Sequence, residues 1–277
     1  MDAGALGLAL GAAVLHAGWN VALAGAASTR EATAGVLLLG APLLALAALL
    51  TGADVSSSAI PFIAASAALE LAYFVLLARA YHGGEVSVVY PVARGLAPVM
   101  VLGAGAVVLG ETVSAGAAIG VLAVAAGVLL VGWGVFPFHM AMKNAPPPRD
   151  LLFGAAIGLV IAAYTLVDAE GVERADPIAY LALVVAPCAA LYPAVTRTGP
   201  DVGVRTALTA AATFGAYLLV LAALERAPAA PVSAVRESSV VIAAILAAVF
   251  LHEEVGRGRI AGAAAVAAGV AAIALSG

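Results

Sequence analysis

Apolar residues run along this chain in long blocks, broken at short intervals by a few polar ones. The blocks fall at 3–24, 32–51, 59–81, 86–109, 115–136, 151–169, 177–196, 203–225, 228–251 and 257–275. A helix needs roughly 20 apolar residues to cross a hydrocarbon core about 30 Å thick. Ten blocks therefore predict ten membrane-spanning helices. The breaks hold charges and turn formers, such as Ser28-Thr29-Arg30-Glu31, Thr51-Gly52-Ala53-Asp54 and Thr198-Gly199-Pro200-Asp201. The longest break, 137–150, contains Lys143 and Pro146-Pro147-Pro148 and reads as a linker between two halves.

The halves repeat one another. Arg94 and Glu111 stand seventeen positions apart, as do Arg236 and Glu253, and the offset of 142 continues through Gly116/Gly258, Gly120/Gly262 and Gly127/Gly269. From 94 to 129, 15 of 36 positions are identical to their counterparts. Each half, 1–136 and 151–277, holds five spans. Five is odd, so the second half enters the membrane from the opposite face. The predicted fold is an all-α polytopic membrane protein of two inverted five-helix repeats, an arrangement that places a transport site at the repeat interface.

Composition agrees with this pattern. The 277 residues are 64% hydrophobic and 10% charged, against about 25% charged in soluble domains. Cys188 is the sole cysteine, which excludes an intrachain disulfide and a thiolate metal cage. The N-terminus, with Asp2 and no basic stretch, reads as a first span and not as a cleaved signal. No basic or aromatic pattern suggests nucleic acid, and no cofactor is expected.

Orientation divides two readings. Breaks after odd-numbered spans hold Arg30, Arg79, Lys143, Arg149, Arg197, Arg205, Arg257 and Arg259, against Arg174 and Arg226 on the other face. That asymmetry places the odd-numbered loops in the cytoplasm and both termini outside.

Polar residues within spans are costly, and their positions suggest a site. Span 1 carries His16, Trp19 and Asn20 on one face. Span 3 carries Ser66, Glu70 and Tyr73, with Tyr81 beyond. Span 4 carries Tyr90 and Arg94; span 6 carries Tyr164, Thr165 and Asp168. Span 8 has a threonine stripe, Thr206, Thr209 and Thr213, ending in Tyr217. Span 9 carries Arg236, Glu237, Ser238 and Ser239. Spans 2, 5 and 10 are nearly featureless. The six polar spans are expected to surround a cavity, with the others outside it. Glu70 and His16 are the candidates for carrying a proton. The threonines serve either bonds between helices or bonds back to their own carbonyls. Arg94 and Arg236 serve either a ligand or an ion pair, for example with Glu237. Asp168, near the expected end of span 6, could be interfacial. Tyr192 and Trp133 are expected in an interfacial belt, and Glu111 and Glu253 at helix ends in structural roles. The Gly7/Gly11, Gly116/Gly120 and Gly154/Gly158 spacings suit close helix packing.

The segments Leu15-His16-Ala17-Gly18-Trp19-Asn20, Val88 to Gly95 with Leu109-Gly110-Glu111, Ala162 to Asp168, and Ala230 to Ser239 with Phe250 to Glu254 resemble the EamA-type transporters of the drug/metabolite transporter superfamily. The resemblance spans the chain and includes bacterial amino-acid exporters. It implies a monomeric multi-pass protein of the bacterial inner membrane, with both termini in the cytoplasm, which moves a small metabolite by alternating access. Amino acids are the expected substrates and lipophilic cations exchanged for protons the alternative. An intramembrane enzyme is disfavoured, because the chain has no Gly-x-Ser-x-Gly or His-Glu-x-x-His motif.

Overall fold

The computed structural model describes residues 1–24, 26–83, 86–133, 147–251 and 256–276. The linker segment 137–146 and the side chains of Tyr81, Trp133, His139, Lys143, His252 and Glu253 lie outside the described residues. The helices are α1 (Ala3–Ala24), α2 (Thr29–Thr51), α3 (Ile60–Gly83), α4 (Val86–Ala104), α5 (Ala115–Trp133), α6 (Pro148–Val172), α7 (Pro177–Thr196), α8 (Val204–Leu224), α9 (Ala229–Arg236), α10 (Ser238–Leu251) and α11 (Arg257–Leu275). One turn at Glu237 separates α9 from α10, so together they make the ninth span. A π-helical turn, Gly105–Leu109, extends α4. Nine spans among the described residues are long and apolar enough to cross a bilayer. With α1 they form a ten-helix bundle.

The ends of the helices follow from local chemistry. Ser28 caps α2 by accepting from Glu31 N–H, and Gly52 closes that helix in the left-handed conformation. Asp176 caps α7 and Pro177 occupies its first turn. Helix α6 starts at Pro148 and runs to Val172, longer at both ends than the apolar block suggests. The extra turn puts Asp168 inside the bundle at 1% exposure and not at the interface. The proline-tyrosine end of α7 also differs from expectation. Tyr192 is fully buried, edge-on to Phe74, and is no interfacial belt residue.

Helix pairing shows the inverted repeat. Helices α5 and α11 pack together, and so do α2 and α7; each pair joins corresponding spans of the two halves. The remaining contacts come as mirrored sets: α1 with α8 and α6 with α3; α4 with α6 and α9–α10 with α1; α3 with α7 and α8 with α2. The α5–α11 seam repeats this residue by residue. A Cβ on Gly120 would lie 2.6 Å from the Gly269 carbonyl, and one on Gly262 would lie 2.7 Å from the Gly127 carbonyl. Gly120 corresponds to Gly262 and Gly127 to Gly269, so the seam is antiparallel and two-fold related. In lipid no hydrophobic effect draws helices together, and close backbone approach over small residues takes its place.

The other glycine spacings divide. Gly154 and Gly158 press on Val92 and Ala93 of α4, and Gly116 abuts Ser276. Gly7 faces open space and Gly11 makes only ordinary contact with Leu219, so close packing does not account for that pair. Loops obey the same symmetry. Ser56 N–H donates to Arg174 O at 3.1 Å and Asp176 N–H to Asp54 O at 2.9 Å, tying the loops after α2 and α6. On the opposite face Asp201 N–H donates to Glu31 O at 2.9 Å, tying the loop after α7 to the first turn of α2.

Glu111 joins the halves at the end of the fourth span. Its Oε1 accepts from Ala229 N–H at 2.9 Å and so caps α9, a structural role at a helix end. Part-burial pushes the Glu111 carboxyl above the usual range, against the opposing pull of that bond.

Two outcomes follow. Gly120→Ala and Gly127→Ala force backbone apart and should each destabilise by about 1–3 kcal/mol, while Gly7→Ala is silent; thermal unfolding in detergent reads the difference. Glu111→Ala loses the cap, worth about 1 kcal/mol, whereas Glu111→Gln keeps the acceptor. A raised carboxyl pKa in the folded state stabilises below its ordinary range and loses that contribution as pH rises through the raised value. The wild-type advantage over Gln should therefore shrink from acid to neutral pH.

Candidate functional site

Five spans converge on one internal cavity. It has a volume of about 50 Å³ and is lined by His16 and Trp19 of α1, Glu70, Tyr73 and Phe74 of α3, Tyr164 of α6, Thr213, Ala216, Tyr217 and Val220 of α8, and Arg236 of α9. Tyr73 also lines a smaller cavity of about 20 Å³, which it shares with Tyr90 and Arg94 of α4. The six polar spans thus meet in the middle. The cavity is small: one water takes roughly 10–15 Å³ by this measure, so it holds a few waters, and a larger guest requires the helices to part.

The walls are aromatic. Tyr73 packs edge-on to Phe74 at 5.3 Å and to Tyr164 at 6.0 Å, Tyr164 lies 6.2 Å from Tyr217, and His16 stands edge-on to Trp19 at 4.7 Å. Set into these walls are two buried donors without a hydrogen-bond partner, Trp19 Nε1 and Arg236 Nη2. Both residues are more than nine-tenths buried. A buried donor left unpaired costs about 1–3 kcal/mol. Glu70, 5% exposed, brings a carboxyl group to the same cavity.

The two arginines of the repeat have different surroundings. Arg94 Nη1 pairs with Glu237 Oε1 at 3.1 Å, its Nη2 contacts His16 Nε2, and its guanidinium lies over the Tyr90 ring. Arg236 Nε approaches the same Glu237 oxygen at 3.5 Å, and its Nη2 stays unpaired beside the cavity. One carboxylate therefore serves two cations: Arg94 is engaged by Glu237 and His16, and Arg236 approaches Glu237 while also lining the cavity. A guanidinium has only donors, so His16 accepts through Nε2. That lone pair is occupied and cannot take up a proton while the contact lasts.

Asp168 is likewise engaged. Ser66 Oγ donates to its Oδ1 at 2.6 Å, Tyr180 Oη to the same oxygen at 2.9 Å, and Tyr217 Oη to Oδ2. Asp168 does not line the cavity; it holds Tyr217, which does. The rest of the expected set is also placed. Asn20 bonds back to His16 O, and Thr165 to Ile161 O. Ser238 and Ser239 are buried at the start of α10 with unpaired hydroxyls, off the cavity wall. Thr209 and Thr213 donate to the carbonyls of Arg205 and Thr209, so the stripe bonds within its own helix.

Sequence reasoning missed Phe74, Ala216 and Val220 as wall residues and Tyr180 as a partner of Asp168. Apolar wall residues carry no mark in a chain this hydrophobic. Tyr180 sits one turn into span 7, where an aromatic residue reads as a membrane-interface anchor.

Breaking a buried ion pair by removing one partner costs about 3–5 kcal/mol. Arg94→Gln should lower the melting temperature sharply, and Glu237→Gln likewise. The double variant Arg94→Gln/Glu237→Gln should recover part of the Glu237→Gln loss, because Arg94 is no longer left as a buried cation without its carboxylate. Additive losses in detergent melts would show that the pair is not coupled.

Comparison with known proteins places this bundle. Residues 149–275 match the model of the EamA-like transporter family. A crystal structure of a protein 17% identical in sequence superposes with a TM-score of 0.80, over 99% of this chain and 98% of that one. At that identity the likeness shows the fold, and it does so for both halves. No curated protein matches the sequence. Residues 149–275 are thus similar to the EamA-like transporter family, and over its whole length the chain has the fold of a multi-pass membrane protein.

Proposed function

We propose that the protein carries amino acids or close zwitterionic relatives out of the cell, by alternating access of the cavity between α1, α3, α6, α8 and α9. The observation that carries this reading is the pairing of two unpartnered buried donors, Trp19 Nε1 and Arg236 Nη2, with the Glu70 carboxyl in one aromatic-walled space. A carboxylate accepts from the two donors, and an ammonium group donates to Glu70. Phosphates and sugar nucleotides need several cations together, and Arg94 is already committed to Glu237. The flat walls of Tyr73, Tyr164 and Tyr217 bound a side chain without hydrogen-bonding to its shape, which favours broad tolerance. A monomer in a bacterial inner membrane suits a chain whose two halves already complete the bundle.

A lipophilic-cation/proton antiporter is the rival within the same superfamily. Arg236 weighs against it, since a cation in this cavity would lie beside a second positive charge. Proton exchange, in this reading, runs through Glu70, because the Nε2 lone pair of His16 is taken up by Arg94.

The test uses proteoliposomes loaded with neutral amino acids, beside a quaternary ammonium dye. Saturable amino-acid flux is expected, and Arg236→Gln should reduce it by about 10–100-fold, the loss of a charge-assisted contact of about 1.5–3 kcal/mol. Dye transport without amino-acid flux would replace this reading with the antiporter. Glu70→Gln should abolish the pH dependence of the rate; an unaltered profile would leave Glu70 as a packing residue.

A further inference from the structure

The threonine stripe of α8 has no part in the cavity described above except at its last member. Its surroundings give it one. A crevice of about 240 Å³ opens beside the loops after α1 and α7, with Asp201, Arg205, Thr206 and Thr209 along one wall and α1 and α2 along the other. Thr209, Leu23 and Val36 are shared between this crevice and a narrow void of about 10 Å³ beneath it. That void in turn shares Trp19, Phe74 and Thr213 with the central cavity. Three spaces thus follow one another along α8, each sharing lining residues with the next.

The hydroxyls along the line share one polarity. Thr209 donates to Arg205 O at 2.9 Å, Thr213 to Thr209 O at 2.8 Å and Thr33, across the void, to Thr29 O at 2.7 Å. A hydroxyl has one hydrogen and two lone pairs. With the hydrogen committed to its own helix, each threonine can only accept from a passenger. Thr206 leans on Asp201 Oδ2 at 3.4 Å, which puts a carboxylate at the mouth. Arg205 spans the mouth, donating from Nη2 to Ala22 O at 2.8 Å and joining α8 to the end of α1.

We infer that the crevice between α1, α2 and α8 is the port through which substrate passes on the face of loops α1–α2 and α7–α8, that Trp19, Phe74 and Thr213 form its inner gate, and that its acceptor-only threonines select passengers that carry an ammonium group. The port's substrate rests on the zwitterion reading above; the port itself does not. Among the described residues, the opposite end of the bundle is arranged differently. There the loops after α2 and α6 are joined by two backbone hydrogen bonds, and the hollow beside them shares no residue with the central cavity.

The experiment places single cysteines in a Cys188→Ser background, which keeps a donor for Ala67 O. Thr209→Cys sits in the port and lines no part of the central cavity; Leu224→Cys is buried at the other end of α8. A membrane-impermeant, bulky maleimide is added to vesicles of each orientation. Thr209→Cys is expected to react only from the face of the α7–α8 loop, and Leu224→Cys from neither. No reaction at Thr209→Cys, or reaction from the opposite face alone, would overturn the port whatever the substrate is. Modification is then expected to stop flux while alanine binding in detergent stays within about twofold, since the cavity is untouched; continued flux through the modified protein would also overturn it. Thr209→Val should slow flux about fivefold, the worth of one hydrogen bond, with Thr209→Ser restoring it. A protein that neither binds nor moves amino acids refutes the zwitterion reading and leaves the labelling result to judge the port.

Discussion

The structure depends on how a bilayer treats charge. Hydrocarbon offers no partner to a polar group, so every ion placed within a span must find one inside the protein. Glu237 meets that demand for two arginines at once, Arg94 from the first half and Arg236 from the second. A single carboxylate between two cations holds α4 to α9 at the centre of the bundle. It also leaves a surplus positive group, and the surplus faces the cavity. The chemistry of the site is thus a remainder of the ion pairing that holds the fold.

The two-fold symmetry of the bundle is strict where helices pack and relaxed where chemistry is done. At the α5–α11 seam, Gly120, Gly127, Gly262 and Gly269 meet as related pairs with backbone in contact. In the centre the counterpart of Glu237 is Gly95, which instead receives Leu129 of α5. The ninth span breaks at Glu237, while α4 runs unbroken past Gly95. The paired arginines of the repeat therefore differ in their surroundings: Arg94 bonds to Glu237 and His16, and Arg236 lines the cavity.

The carboxylates show a parallel division. Asp168 receives three hydroxyl donors and serves to fix Tyr217. Glu70 lies on the cavity wall itself. Both are buried acids, and their neighbours engage one on three sides and leave the other on the cavity wall. The cavity has room for only a few waters, so these buried charges lie in a low-dielectric setting, where attraction to a partner is strong.

The sequence by itself determined the spans, the repeat and the ring of polar helices, because lipid permits so few arrangements. A run of apolar residues of bilayer length has to be a helix, an odd number of them has to invert the second copy, and a polar residue mid-span has to face inward. That reasoning located His16, Trp19, Glu70, Tyr73, Tyr164, Tyr217 and Arg236 on facing helices. Other side chains it singled out, Asn20, Thr165 and Thr209, bond within their own helices and off the cavity wall, and Gly7 touches nothing. Only the tertiary structure decided which arginine is spent on Glu237, which acid on Tyr217, and which apolar residues, such as Phe74, close the walls. Periodicity says which side of a helix faces its neighbours. It does not say which of several possible partners, brought together from opposite ends of the chain, lies within hydrogen-bonding distance.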